Sequence, residues 1–333
     1  MAISVVDRRT FLGTVAAALT TGGASGQTQP KQTFIAGVVA SAPRPPGALA
    51  GQGGGAAAGA GRGAAGAGGG GRGAGQTDEQ RVKTFLTGMD DCVRLGIHNI
   101  EKSNPPNPMF DYYKGKESQF KEELAKRNLT LVGLANNCHA GRADLRQSMI
   151  DQNLSTAKFV QMMGGKYVCF VLDPVDGTDA TGDEQAFRKL DFKVIASNVD
   201  EMARRSKEET GIETGYHPEE GDSAAGLVDY LMDNTKNLKF WPDVGWMQMA
   251  GMDSVASCKK YYSRMNGIHL RDYTPPKDAN GGRGLVPLGA GDINLVDLID
   301  FFRKNKFTGC VMGEGQSNQS NYDYMSGKLG LQF

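Results

Sequence analysis

Apolar, β-branched runs and amphipathic helical stretches alternate along this chain with a period near 30 residues. The runs lie at 35–41 (IAGVVAS), 96–103, 129–137, 166–174, 212–218, 238–244, 265–273 and 307–315. Between them, residues 78–96, 116–128, 143–164, 184–210, 224–234, 253–265 and 293–306 carry helical spacing of apolar positions. Several of these stretches end in Gly or Asn just before the next run, as helix C-termini do. Two parallel strands cannot be joined by a tight turn, so each needs a crossover helix. Eight such units in one chain predict an α/β protein, a single (β/α)8 TIM barrel. An open doubly wound sheet is the other arrangement of alternating units. It is disfavoured because no G-x-G-x-x-G stands at a tight turn directly after the first strand and at the start of a helix.

Two segments stand outside this pattern. Residues 1–30 contain Arg8 and Arg9, then Phe11, Leu12 and a short, mildly apolar run ending in small residues. This is the pattern of a twin-arginine signal peptide, which predicts the export machinery as a partner and a periplasmic or secreted location. The run falls short of the roughly 20 apolar residues that span a bilayer, so no stable membrane anchor is expected. Residues 31–333 then form the barrel domain, interrupted at 41–77 by a Gly/Ala-rich insert without hydrophobic periodicity. Because a strand precedes it and a helix follows it, the insert is expected to be a disordered expansion of the first βα loop. Much of the chain's excess of glycine, 46 residues in 333, sits there.

Composition removes several classes of function. Lysine and arginine together number 37, as do aspartate and glutamate, so no basic surface excess invites nucleic acid. The five cysteines include no C-x-x-C pair, which argues against a disulfide framework or a cysteine zinc site.

Chemistry in a (β/α)8 barrel belongs at the C-terminal ends of the strands. Four coordinating residues fall there on four successive strands: His217 on the fifth, Asp243 on the sixth, His269 on the seventh and Glu314 on the eighth. Two imidazoles with two carboxylates suit one divalent metal ion of the Mn, Zn, Fe or Co kind better than calcium.

The strings WPDVGWMQMAGMD (241–253), GIHLRDY (267–273) and PLGAGDIN (287–294) resemble the sugar phosphate isomerase/epimerase family, whose barrel is xylose isomerase-like. The resemblance spans roughly residues 33–325 and is most specific in the C-terminal half. It implies a divalent ion held by His217, Asp243, His269 and Glu314, with a small-molecule sugar as substrate. Glu101, ending the second strand, matches a frequent acidic substrate contact, and Trp246 matches a position occupied by His or Trp. Two positions depart from the family pattern. His217 stands where the epimerases usually carry a glutamate, with Glu219 and Glu220 just beyond, and Arg271 stands in place of a lysine. Arginine keeps the charge and adds a planar fork that grips hydroxyls or a carboxylate.

A site of this kind favours abstraction of a proton next to a carbonyl. Glu314, Glu101 and Glu219 are the candidate acid/base groups, and Arg271, Trp246 and His139 are candidate substrate contacts. Returning the proton gives an epimer or an isomer, and expelling a β-substituent gives elimination. The expected activity is therefore a metal-dependent sugar isomerase or epimerase. The alternatives are a lyase or hydrolase on keto-sugars or keto-glycosides, and a non-catalytic periplasmic carbohydrate-binding protein.

Overall fold

A computed structural model describes residues 31–40, 77–102, 108–174, 182–276, 284–315 and 317–333. The expected signal segment and all of the Gly/Ala-rich insert except Thr77 lie outside these residues. The strands are β1 (Ile35–Val39), β2 (Asn99–Lys102), β3 (Thr130–Cys138), β4 (Tyr167–Leu172), β5 (Glu213–Tyr216), β6 (Lys239–Phe240), β7 (Gly267–Leu270), β8 (Asp272–Tyr273), β9 (Leu285–Val286) and β10 (Cys310–Gly313). Eight of them form one parallel sheet in the order β6-β5-β4-β3-β2-β1-β10-β7. Thus the first strand is zipped to the last, and β8 with β9 makes a separate antiparallel pair. The sheet curls until β6 meets β7, and among the described residues that seam is joined by two isolated bridges, Phe240↔Met265 and Asp243↔His269. The result is a nearly closed (β/α)8 barrel, as the alternation predicts.

Side chains alternate in and out along each strand. Inside the barrel this brings together Val39, Val132, Ala135, Tyr167, Cys169, Trp241, Cys310 and Met312. The Trp241 indole stacks on the Tyr167 ring with centroids 3.7 Å apart. Gly267 leaves room for it, because a Cβ there would fall on the indole ring. The outward faces of the strands pack against the helices in two further apolar clusters.

Local signals explain the helix boundaries. In the helix Asp78–Leu95, Thr77 accepts from the Gln80 amide while the Gln80 side chain accepts from Thr77 N, and Gly96 ends the helix with φ 76°. The stretch 184–210, expected as one helix, divides into Glu184–Phe187 and Phe192–Thr210. The cause is Asp191, whose side chain accepts from Lys193 N and starts a second helix. The sixth run is shorter than expected, because Pro242 has no N–H for the ladder and Asp243 caps a new helix, Val244–Met249. The seventh run likewise splits at Arg271 into β7 and β8. No described helix is long and apolar enough to cross a membrane.

Candidate metal centre

His217 directly follows β5, Asp243 caps the helix after β6, His269 lies within β7, and Glu314 directly follows β10. One donor atom from each lies within 4.8 Å of all the others. His217 Nε2 is 3.6 Å from Asp243 Oδ2 and 3.8 Å from Glu314 Oε2, and His269 Nδ1 is 2.6 Å from the same Glu314 oxygen. Asp243 and His269 are fully buried and His217 is 3% exposed. Despite the short approach of Glu314, His269 Nδ1 makes no hydrogen bond of acceptable direction. Ligand bonds of about 2.0–2.2 Å put opposite donors roughly 4.2 Å apart, so the four residues fit a single divalent ion.

Further contacts hold the candidate ligands in place. Asp243 Oδ1 accepts from Gly245 N and Trp246 N, both at 3.0 Å, which leaves Oδ2 to face the site. Arg271 donates from Nε to Asp243 Oδ2 at 2.6 Å, and its Nη2 lies 2.7 Å from Glu314 Oε1. The guanidinium stands 5.2 Å from the centre of the Trp246 ring. Gly315, at φ 87°, keeps the space beside it clear, since a Cβ there would strike Arg271.

Electrostatics at the site favour bound cations. Burial lowers the basicity of His269, but the Glu101 and Glu314 carboxylates outweigh it and push the imidazole up to about 9. His217 is likewise buried, yet the neighbouring Asp243, Glu314 and Glu219 carboxylates hold it well above the usual histidine range. Glu314 lies well below the ordinary carboxyl range in spite of burial, because Arg271 and His269 stabilise its charge. Protons on the two rings thus balance acidic neighbours, a task a divalent ion would take over while displacing them.

The structure brings together some of the other expected site residues and separates others. Glu219 stands beside the ligand set rather than in it, with Oε1 3.8 Å from His217 Nδ1. Burial pushes its carboxyl up to about 8 against the pull of His217 and Arg271. Trp246 is buried against Arg271. His139, just after β3, is half-buried and outside the ligand cluster. Glu101 is fully buried in the barrel interior, where it contacts Tyr167, Cys169 and His269 instead of opening to the mouth. Asp272 is a loop anchor: its carboxylate accepts from the backbone of Tyr273, Gly289, Gly291 and Ile293.

Sequence reasoning did not single out Tyr167 and Cys169. Their signal was the alternation Tyr167, Cys169, Val171, Asp173 along the fourth run, which turns all four to one face. Nor did it find Asp222, which accepts from Tyr216 Oη at 2.7 Å and from Glu219 N at 2.8 Å and so holds the loop that carries Glu219.

Residues 89–326 match a family described as a xylose isomerase-like TIM barrel. Three solved structures illustrate the likeness. A xylose isomerase-like TIM barrel protein from Mycobacterium smegmatis in complex with magnesium has a TM-score of 0.57 at 14% identity, over 74% of this chain and 88% of that one. A sugar phosphate isomerase/epimerase from Parabacteroides distasonis gives 0.54 at 14%, over 73% and 91%. The apo form of 3-keto-D-glucoside 4-epimerase from E. coli gives 0.52 at 14%, over 72% and 92%. At such identities the likeness is one of fold. No curated protein matches this chain by sequence.

Proposed function

Because this chain belongs to the xylose isomerase-like TIM barrel family, we propose that it is a divalent-metal-dependent enzyme that moves a proton at the carbon beside a carbonyl of a sugar or keto-sugar. The observation that carries this reading is the convergence of His217, Asp243, His269 and Glu314 donor atoms within 4.8 Å at one end of the strands. A divalent ion held there supplies Lewis-acid polarisation of a carbonyl oxygen, which acidifies the neighbouring C–H bond.

The remaining tasks fall to the chain. Arg271 grips both Asp243 and Glu314, fixing the two carboxylates as donors. That engagement makes Glu314 a ligand first, and Glu101 is enclosed in the barrel. Glu219 is the acidic side chain beside the ligand set and is 17% exposed, so we assign it the uptake and return of the α-proton. It stands on the side of His217 away from Asp243, reached from Nδ1 rather than Nε2. The Arg8–Arg9 segment supports an exported enzyme and hence an unphosphorylated substrate.

His217 favours a second reading. An imidazole at the fifth strand takes the place of a carboxylate that would serve the opposite face of the substrate, which suits β-elimination from a keto-sugar or keto-glycoside. Products separate the two: interconverted stereoisomers support the first, a released aglycone or dehydrated sugar the second.

The deciding experiment is elemental analysis of the wild type, Asp243→Ala and His269→Ala, followed by exchange of substrate α-protons with deuterated water. The expected outcome is about one equivalent of transition metal in the wild type and its loss in both variants. Glu219→Gln should keep the metal and lose the exchange. A wild type that takes up no Mn²⁺, Zn²⁺ or Co²⁺ would overturn the reading in favour of a carbohydrate-binding protein.

A further inference from the structure

Inside the barrel, side chains from three strands that are not neighbours meet at one carboxylate. Glu101 on β2 accepts from Tyr167 Oη on β4 at 2.5 Å, and its Oε2 is 2.7 Å from His269 Nε2 on β7. Cys169 Sγ lies 3.7 Å from Oε1. Glu101, Cys169 and His269 are completely shielded from solvent, and Tyr167 is 1% exposed. A carboxyl group enclosed this way loses its water and needs partners that compensate. A leucine or glutamine would fill the same space at less cost, so the carboxyl group calls for a task.

His269 supplies one, because its ring is held at both nitrogens. Nε2 faces Glu101, while Nδ1 faces Glu314 and the other donors without a well-directed hydrogen bond. A metal-bound imidazole must keep its proton on the nitrogen away from the ion, and an acceptor there fixes the tautomer, the ring angle and the basicity. We propose that Glu101 is the positioning residue of the metal centre: by accepting the Nε2–H of His269 it presents Nδ1 to the ion. Tyr167 in turn fixes Glu101, and Trp241 fixes Tyr167 by stacking on it and meets the His269 ring edge-on with centroids 5.7 Å apart. The barrel core is therefore wired to one ligand. This inference rests on the metal-dependent reading above.

The same atoms admit a rival. Glu101, Cys169 and His269 offer donors within 4.8 Å of one another and would fit a second ion bridged by His269. Titrating the protein with Zn²⁺ against a chromophoric chelator, with nitrogen-15 histidine spectra of the protein loaded with cadmium-113, distinguishes the cases. The expected results are one ion per chain, cadmium coupling to His269 Nδ1 and a proton on Nε2. In Glu101→Gln, zinc affinity should fall by about 10- to 100-fold with the fold retained. Tyr167→Phe should lower it less.

Unchanged affinity in Glu101→Gln, or cadmium coupled to Nε2, would overturn the assignment while leaving the enzyme reading intact. So would a second equivalent of zinc that disappears with Glu101→Gln, which would make Glu101 a ligand. A wild type that binds no metal would overturn both readings. If Glu101→Gln does not fold, the wild-type spectrum still decides between Nδ1 and Nε2.

Discussion

Arg271 reaches Asp243 with Nε and Glu314 with Nη2, so one planar group sets the spacing of two candidate ligands. A lysine keeps the charge but offers a single point of attachment. Hydrogen bonds to charged groups contribute about 1.5–3 kcal/mol each, so Arg271→Lys is expected to lower activity by roughly 10- to 100-fold. Its melting temperature should stay close to that of the wild type, and full activity in this variant would refute the assigned role. Trp241 makes a contrasting prediction, since its ring is buried inside the barrel. Trp241→Ala should destabilise the protein by about 3–5 kcal/mol, measured by denaturant unfolding. The grouping of the four candidate ligands was legible in the sequence because they recur at the ends of successive apolar runs. The depth of Glu101 was not legible: a run of strand residues shows which face a side chain takes, and not how far the barrel closes over it.

At the scale of elements, the eight strands were readable from alternation, while the shortness of β6 and the helix Val244–Met249 were not. Pro242 ends the ladder, and the helix follows from Asp243, whose side chain has two possible partners. Asp243 can point into a site or turn back to cap a helix, and in the folded chain it does each with a different oxygen. The short helices Pro108–Tyr113 and Asn318–Tyr322 also escaped, being too brief to show a period. The helix Glu220–Ala224, which follows Glu219, carries a pH prediction. Burial pushes the Asp222 carboxyl up to about 7, against the hydrogen bonds from Tyr216 and the backbone that lower it. An unfolded aspartate ionises near 3.9, so between about pH 4 and 7 the folded state holds more protons than the unfolded state. This group's contribution to stability therefore falls as pH rises through that window and is level above it. Unfolding curves should show Asp222→Asn gaining on the wild type from pH 4 to 7, and the opposite trend would mean that the carboxylate is held ionised.

For the whole molecule, all five cysteines are buried and unpaired, and burial pushes the Cys92 and Cys310 thiols up to about 12. Native protein should therefore resist a thiol reagent that labels five sites after unfolding. Export is tested by replacing Arg8 and Arg9 with lysine, which should leave the precursor in the cytoplasm.

The seam between β6 and β7 adds a consequence of another kind. His217 and Asp243 belong to one side of it, His269 and Glu314 to the other, and the backbone ties across it include His269 N to Pro242 O at 2.9 Å. An ion chelated by all four would act as a rivet through the barrel's weakest edge. Free metal at a thousand times its dissociation constant would add about 4 kcal/mol to the folded state. Amide protons along that edge should then exchange with solvent more slowly in the loaded protein, so that ring closure and uptake of an ion become a single mechanical event.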